Sequence, residues 1–158
     1  MSDLIFNLNG RKISVTITAN MLLIDLLRDI LRLKGTKIGC REGVCGVCTI
    51  LVDGKPVNSC LLPAMKVSGR SVTTIEGLSK NGELDPIQQA FIDEGAVQCG
   101  FCTPAMILIA KALLDKNTRA EESEIKESLS GVLCRCTGYQ KIIQAVQRAI
   151  LKKSSESY

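Results

Sequence analysis

Eight cysteines and no histidine in 158 residues narrow the chemistry open to this chain. Four of the thiols, Cys40, Cys45, Cys48 and Cys60, fall in the stretch IGCREGVCGVCTILVDGKPVNSC, spaced C-x4-C-x2-C with the fourth after eleven intervening residues. That spacing is the plant-type [2Fe-2S] pattern. Two irons bridged by two sulfides need two thiolates each, and a loop wraps around them only if its backbone bends sharply. Gly39, Gly43 and Gly46 are expected to supply the bends and to let backbone amides approach the sulfurs, with Lys37 and Arg41 adding positive charge against the anionic cluster. Zinc is the rival metal, but four-thiolate zinc sites usually come as two knuckles of C-x2–4-C, whereas this loop carries three cysteines together. The spacing therefore favours [2Fe-2S]. Rieske chemistry is excluded because it requires two histidines.

The second set is Cys99, Cys102, Cys134 and Cys136, in the runs QCGFC and CRC separated by 31 residues. Each run lies just ahead of an expected helix, one starting near Pro104 and one near Tyr139. The partial positive charge of a helix N-terminus favours thiolates and an anionic cluster, and the pairs converge if those helices lie side by side. Spacing alone leaves iron–sulfur and zinc equally open here. A redox dithiol at Cys99 and Cys102 is the other alternative, although the β-α-β context it usually occupies is missing.

Two scaffolds are expected to carry these sets. In the first half, Leu4, Phe6 and Leu8 alternate with polar residues, Asn9-Gly10 supplies a tight turn, and Ile13, Val15 and Ile17 alternate again, which predicts a β-hairpin. Asn20 is placed as the cap of a helix carrying Leu22, Leu23, Leu26, Leu27 and Ile30 and ending near Gly35. Strands follow over Thr49 to Val52 and from Pro56, joined at Asp53-Gly54, with one more over Ser71 to Ile75. The second half predicts four helices. Asp85-Pro86 and Thr103-Pro104 are capping residues followed by proline, Thr118-x-x-Glu121 has the form of a capping box, and Ile142, Ile143, Val146 and Ile150 form one stripe after Thr137-Gly138. The fold class is α+β: residues 1–78 as a mixed domain, 84–158 as a small helical bundle with its own core, a linker over Leu78–Glu83, and a frayed tail from Lys152 to Tyr158.

Composition excludes several functions. A net charge of +4 and 3% aromatic content, with no Trp, provide neither a basic field nor stacking platforms for nucleic acid. The N-terminus has no signal-peptide pattern, and no segment reaches the roughly 18 apolar residues of a membrane span, so a cytoplasmic protein is expected. In a reducing compartment clustered thiols more often hold metal than form disulfides. There is no glycine-rich dinucleotide fingerprint and no acid–base pair, so an electron carrier without a substrate site of its own is expected.

Three stretches carry a resemblance: Gly39-Cys40-x4-Cys45-Gly46-x-Cys48-Thr49, Gln98-Cys99-Gly100-Phe101-Cys102-Thr103-Pro104, and Cys134-Arg135-Cys136-Thr137-Gly138-Tyr139. With the linking TTIEGL and PIQQAFI segments they resemble, over roughly residues 3–150, the iron–sulfur subunit of the xanthine dehydrogenase (molybdenum hydroxylase) family. The resemblance implies an N-terminal β-grasp ferredoxin-like domain with one [2Fe-2S] cluster and a four-helix-bundle domain with a second, resolving the second site in favour of iron–sulfur. It implies partners: a molybdopterin-binding large subunit and an FAD-binding medium subunit, assembled as a dimer of heterotrimers, with single electrons crossing from molybdenum to flavin. Gln98 and Cys136 match the positions that approach the pterin, so Cys136 serves as ligand and electron exit. From the residues alone Gln98 reads as an ordinary polar residue near a helix start, and Arg135 either meets a cofactor phosphate or partner or is a solvated balance to cluster charge. Some relatives run the path backward, as in reductive dehydroxylation of an aryl-CoA, and a free-standing ferredoxin is the remaining alternative. Purines, aldehydes, nicotinate, carbon monoxide and aryl-CoA esters all fit as substrates, because the substrate pocket is on another chain.

Two positions depart from the family pattern. Ala105 stands where the family usually has Gly, and Val132 where it has Asn, both beside the second cysteine set. Val132 lacks the side-chain hydrogen bonds of Asn, so the bonding of that loop is expected to differ.

Overall fold

The computed structural model describes residues 1–155, with side chains through Lys152. Strands β1 (Ser2–Leu8) and β2 (Arg11–Ile17) pair antiparallel from Ser2↔Ile17 to Leu8↔Arg11. Their turn, Asn9 (φ 52°) and Gly10 (φ 82°), has the two positive φ angles that match strand twist. Strands β3 (Thr49–Val52) and β4 (Lys55–Asn58) form a second hairpin through Asp53 and Gly54, and β5 (Ser71–Thr73) joins the two. The sheet order is β2-β1-β5-β3-β4, with β1 and β5 parallel and the other pairs antiparallel. Ile75 belongs to a 3-10 turn, Ile75–Gly77, rather than to β5.

The first helix is shorter than its periodicity suggested. It is one α turn, α1 (Leu23–Asp25), that runs into a π-helical segment, Leu26–Ile30, closed by the Leu31 amide on the Leu26 carbonyl at 2.9 Å. Asn20 does not cap it. The first amides are already bonded outside the helix, Leu23 to the Leu62 carbonyl (2.8 Å) and Ile24 to that of Ser59 (3.2 Å). Its end comes at Arg32, whose φ of 59° breaks the helical path before Gly35.

Four further helices follow: α2 (Pro86–Asp93), α3 (Thr103–Lys116), α4 (Glu122–Leu129) and α5 (Gln140–Ser155). The start of α2 has the expected Asp85 cap ahead of Pro86, accepting from the Ile87 amide, and Gln88 accepts from the Asp85 amide to complete a capping box that the sequence reading did not include. Two other starts differ. Thr103 is the first helical residue of α3, capped by Cys102 without a side-chain bond. The box of α4 is Glu121 with Glu124, not Thr118 with Glu121. Asn117 ends α3 and accepts from the Arg119 amide at 3.0 Å, which holds Thr118 inside an Asx turn. Helix α5 is continuous through Ser155, so the expected fraying does not begin at Lys152, and the rest of that tail lies outside the described residues.

Helix α2 packs on α3 and α5, and α4 packs on α3 and α5. Their shared core holds Phe91, Met106, Leu108, Ile125, Val132, Ile142 and Val146, while Leu4, Phe6, Ile17, Leu26, Ile50 and Val72 form the core of the sheet. The cores are not confined to the two sequence halves. Every residue of β3 is buried, and because side chains alternate across a strand, Ile50 and Val52 enter the sheet core while Leu51 meets the helices. Helix α3 accordingly lies against β3. The Leu78–Glu83 linker is an ordered turn in which Lys80 and Glu83 exchange backbone bonds of 3.0 and 2.9 Å.

Candidate metal centres

The loop between the π-helical segment and β3 sets up the first thiol group. Cys40 and Cys45 face each other across it: the Cys45 and Glu42 amides donate to the Cys40 sulfur at 3.4 and 3.3 Å, and the Cys40 amide donates to the Cys45 sulfur at 3.4 Å. The amides of Cys45 and Glu42 stabilise the thiolate and bring the Cys40 pKa down from 9.0 to about 6. Cys48 and Cys60 form the other pair, both buried, within hydrogen-bond reach of each other and packed against Ile24 and Ile38. Burial pushes the Cys48 thiol up to about 11.

Side chains outside the cysteine motif hold this loop in place. Thr49 donates to the Gly46 carbonyl at 2.7 Å, Asn58 to that of Gly43 at 3.1 Å, and Ser59 to that of Cys48 at 2.7 Å. These hydrogen-bonding roles were not read from the sequence, where the available signal was a polar residue following Cys48 and two polar residues just ahead of Cys60. Gly43 (φ 76°) and Gly46 (φ 68°) do bend at positive φ, but Gly39 does not. At Gly39 a Cβ would stand 2.7 Å from the Cys45 sulfur, so the requirement there is space. The two expected cations have partners of their own: the Lys37 ammonium donates to the Lys34 carbonyl at 3.0 Å, and the Arg41 guanidinium to Asp25 at 2.8 Å.

The second thiol group is assembled from two connections. Cys102 caps α3, Cys99 lies in the turn before it, and Cys134 and Cys136 precede α5. The thiols pair across the connections rather than along them. The Cys136 and Cys99 sulfurs are 3.5 Å apart, and Cys102 lies within hydrogen-bond reach of Cys134. Cys102 is buried, which pushes its thiol up to about 12, whereas Cys99 and Cys136 are exposed. Cys134 is partly buried, but hydrogen bonds centred on Thr137, whose hydroxyl is 3.1 Å from the sulfur, outweigh desolvation and lower its pKa. The pairing runs against a Cys99–Cys102 dithiol, because the thiol partner of Cys99 is Cys136.

Tyr139 closes this second loop. Its hydroxyl accepts from the Cys134 amide at 2.9 Å and donates to the Val132 carbonyl at 3.1 Å, from a backbone held at φ 65°. Val132 itself is fully buried in the helical core. The position expected to lack hydrogen bonds is thus a packing residue, and the loop is tied through the tyrosine. Ala105 is also fully buried, in the first turns of α3. Gln98 and Arg135 are exposed beside Cys99 and Cys136.

Two family descriptions match successive parts of the chain: a 2Fe-2S iron-sulfur cluster binding domain over residues 6–73 and a [2Fe-2S] binding domain over 74–147. The chain is 48% identical over 144 residues to the nicotinate dehydrogenase small FeS subunit of Eubacterium barkeri, covering 91% of this chain and 92% of that protein. It belongs to the iron–sulfur small subunits of the xanthine dehydrogenase, or molybdenum hydroxylase, family. Its fold matches quinoline 2-oxidoreductase from Pseudomonas putida 86 with a TM-score of 0.93 and 42% identity, over 98% of this chain and 96% of that one. It also matches the aldehyde oxidoreductase of Desulfovibrio desulfuricans ATCC 27774 with a TM-score of 0.95 and 40% identity, over 99% of this chain but 18% of that one. The same unit therefore occurs as a separate subunit and as a small part of a longer polypeptide.

As an iron–sulfur subunit of an oxidoreductase, the chain carries two [2Fe-2S] binding domains. Its thiol geometry fits such clusters. Each centre presents two pairs of thiols, Cys40 with Cys45 and Cys48 with Cys60, then Cys99 with Cys136 and Cys102 with Cys134. Two irons take two thiolates each, whereas one tetrahedral zinc ion draws all four to a single point. Among the described residues no group of three or more Cys, Asp or Glu side chains is placed to hold one metal ion. Among the described residues no helix is long and apolar enough to cross a membrane.

Proposed function

We propose that this chain is the two-cluster relay of a cytoplasmic molybdenum hydroxylase complex, passing single electrons between a molybdopterin-binding large subunit and an FAD-binding medium subunit in a dimer of heterotrimers. Cys40, Cys45, Cys48 and Cys60 hold the first [2Fe-2S] cluster within a β-grasp ferredoxin-like domain, residues 1–78. Cys99, Cys102, Cys134 and Cys136 hold the second within a four-helix-bundle domain, residues 84–158. When bound, each cluster takes up and releases one electron at a time, a plant-type cluster at about −400 mV, with the potential tuned by hydrogen bonds and exposure.

The observation that carries this reading is the joining of the two cysteine loops. The Leu133 amide donates to the Cys45 carbonyl at 2.9 Å, and Gly46 sits directly against the Gly131 backbone. One ligand residue of the first centre is therefore bonded to the neighbour of a ligand residue of the second. At the far side of the second centre Cys99 and Cys136 are exposed, flanked by the exposed side chains of Val97, Gln98 and Phe101. This supports Cys136 as the exit toward the pterin and Gln98 as a pterin-facing residue.

Metal and sulfide analysis of the purified complex tests the reading. About four iron and four acid-labile sulfide per copy of this chain are expected from two clusters. About two iron and one zinc, as one four-thiolate zinc site gives, would overturn it.

A further inference from the structure

Arg41 follows Cys40 directly and has φ 59°, a left-handed conformation uncommon for a long side chain. Its guanidinium straddles the Asp25 carboxylate, with Nη2 at 2.8 Å from Oδ1 and Nη1 at 3.5 Å from Oδ2. The two side chains are 46% and 29% exposed. An ion pair this open adds little to stability, so it does not by itself explain why the backbone is held in a disfavoured conformation.

The placement of Asp25 connects the pair to the thiols. Asp25 closes α1, and its neighbour Ile24 is fully buried against Cys48 and Cys60. The Ile24 amide is bonded to the Ser59 carbonyl, next to Cys60. Asp25 is thus tied to the Cys48 and Cys60 pair through its neighbour Ile24, and the arginine it grips is tied to Cys40 by the peptide bond between them. The other cations flanking this loop are turned to backbone carbonyls, Lys37 to that of Lys34 and Arg28 to those of Lys34 and Thr36.

We propose that Asp25 is a positioning residue for the first iron–sulfur centre: it holds the Arg41 cation near the thiols, and each member of the pair offsets the other's effect on the reduction potential of that centre. The inference rests on Cys40, Cys45, Cys48 and Cys60 being its ligands. Reduction adds a negative charge, which a nearby cation favours and a nearby carboxylate opposes. The intact pair nearly cancels. Removing either member exposes the charge of the other.

The test is an EPR-monitored redox titration of the intact complex bearing Asp25→Asn, Arg41→Gln, or both, with iron determined on each sample and the second cluster as internal reference. Asp25→Asn is expected to raise the potential of the first cluster, Arg41→Gln to lower it, and the double variant to return toward the parent value, with the second cluster unmoved. Opposite shifts that cancel are not the signature of general loosening of a loop. Unchanged potentials, shifts of the same sign, or equal shifts at both clusters would overturn the proposal. If Asp25→Asn does not retain iron, Arg41→Gln alone decides, and a first-cluster potential that does not fall overturns it. Absence of a first cluster from the unaltered complex would instead overturn the ligand assignment beneath it.

Discussion

The backbone amide of Leu133 donates to the backbone carbonyl of Cys45 at 2.9 Å, joining the two cysteine loops of this chain directly. Leu133 precedes Cys134, so a single hydrogen bond and one residue separate a proposed ligand of the first cluster from one of the second. The approach is close because Gly46 has no side chain. A Cβ there would collide with the Gly131 carbonyl, and the φ of 68° disfavours one in any case.

Gly46→Ala is therefore expected to separate the loops. Left-handed backbone at a non-glycine residue costs about 1–2 kcal/mol, and relief of the collision adds to the displacement. Both clusters should still assemble, since no thiol is lost, while freeze-quench EPR after substrate reduction should show slower equilibration between them. Unchanged equilibration would show that this contact does not carry the transfer.

Tyr139→Phe should act on the second centre alone. It removes the hydroxyl that joins the Cys134 amide to the Val132 carbonyl. An unpaired polar group costs about 1–3 kcal/mol when fully buried and less at this partly buried site, so thermal unfolding is expected slightly earlier, with a shifted potential for the second cluster and an unaltered first-cluster signal.

Oxidation of the cluster-free chain should link Cys99 to Cys136 rather than to Cys102. Their sulfurs are 3.5 Å apart and both side chains are exposed, whereas Cys102 is buried with a raised pKa. Each disulfide formed transfers two electrons and two protons to the added oxidant, such as a dithiol-oxidising diamide. Peptide mapping under non-reducing conditions reads the pairing, and a Cys99–Cys102 bridge as the main product would contradict the geometry.

Acid should weaken the clamp between α2 and α5. Asp93 accepts from Gln89 and Lys152 and pairs with Arg148, and these bonds hold its carboxyl below the ordinary value of 3.8. A depressed native pKa contributes stability that is present above the unfolded value and is lost as pH falls through the native one. The loss should thus begin as pH approaches 3.8 and deepen below it. In Asp93→Asn the unfolding midpoint should lie below that of the parent near neutrality and depend less steeply on pH in that range, so that the two converge as pH falls.

Much of this molecule was legible in residue order because the relevant physics is local. The Asn9-Gly10 and Asp53-Gly54 turns, the Asp85-Pro86 start of α2 and the C-x4-C-x2-C loop are specified by residues within a dozen positions of one another. Local signals failed where amides were already engaged elsewhere. Asn20 does not cap α1 because Leu62 and Ser59 accept its first amides, and Thr118 does not begin α4 because Asn117 holds it in a turn. By itself the sequence determined which residues bring thiols and in what two sets. Only the tertiary structure decided how those thiols pair across 37 residues, from Cys99 to Cys136, and that Leu133 reaches Cys45. Spacing constrains a loop through its own dihedral angles, but contact between distant loops follows from the packing of α3 against β3 and the burial of Val132, which no short window of residues contains.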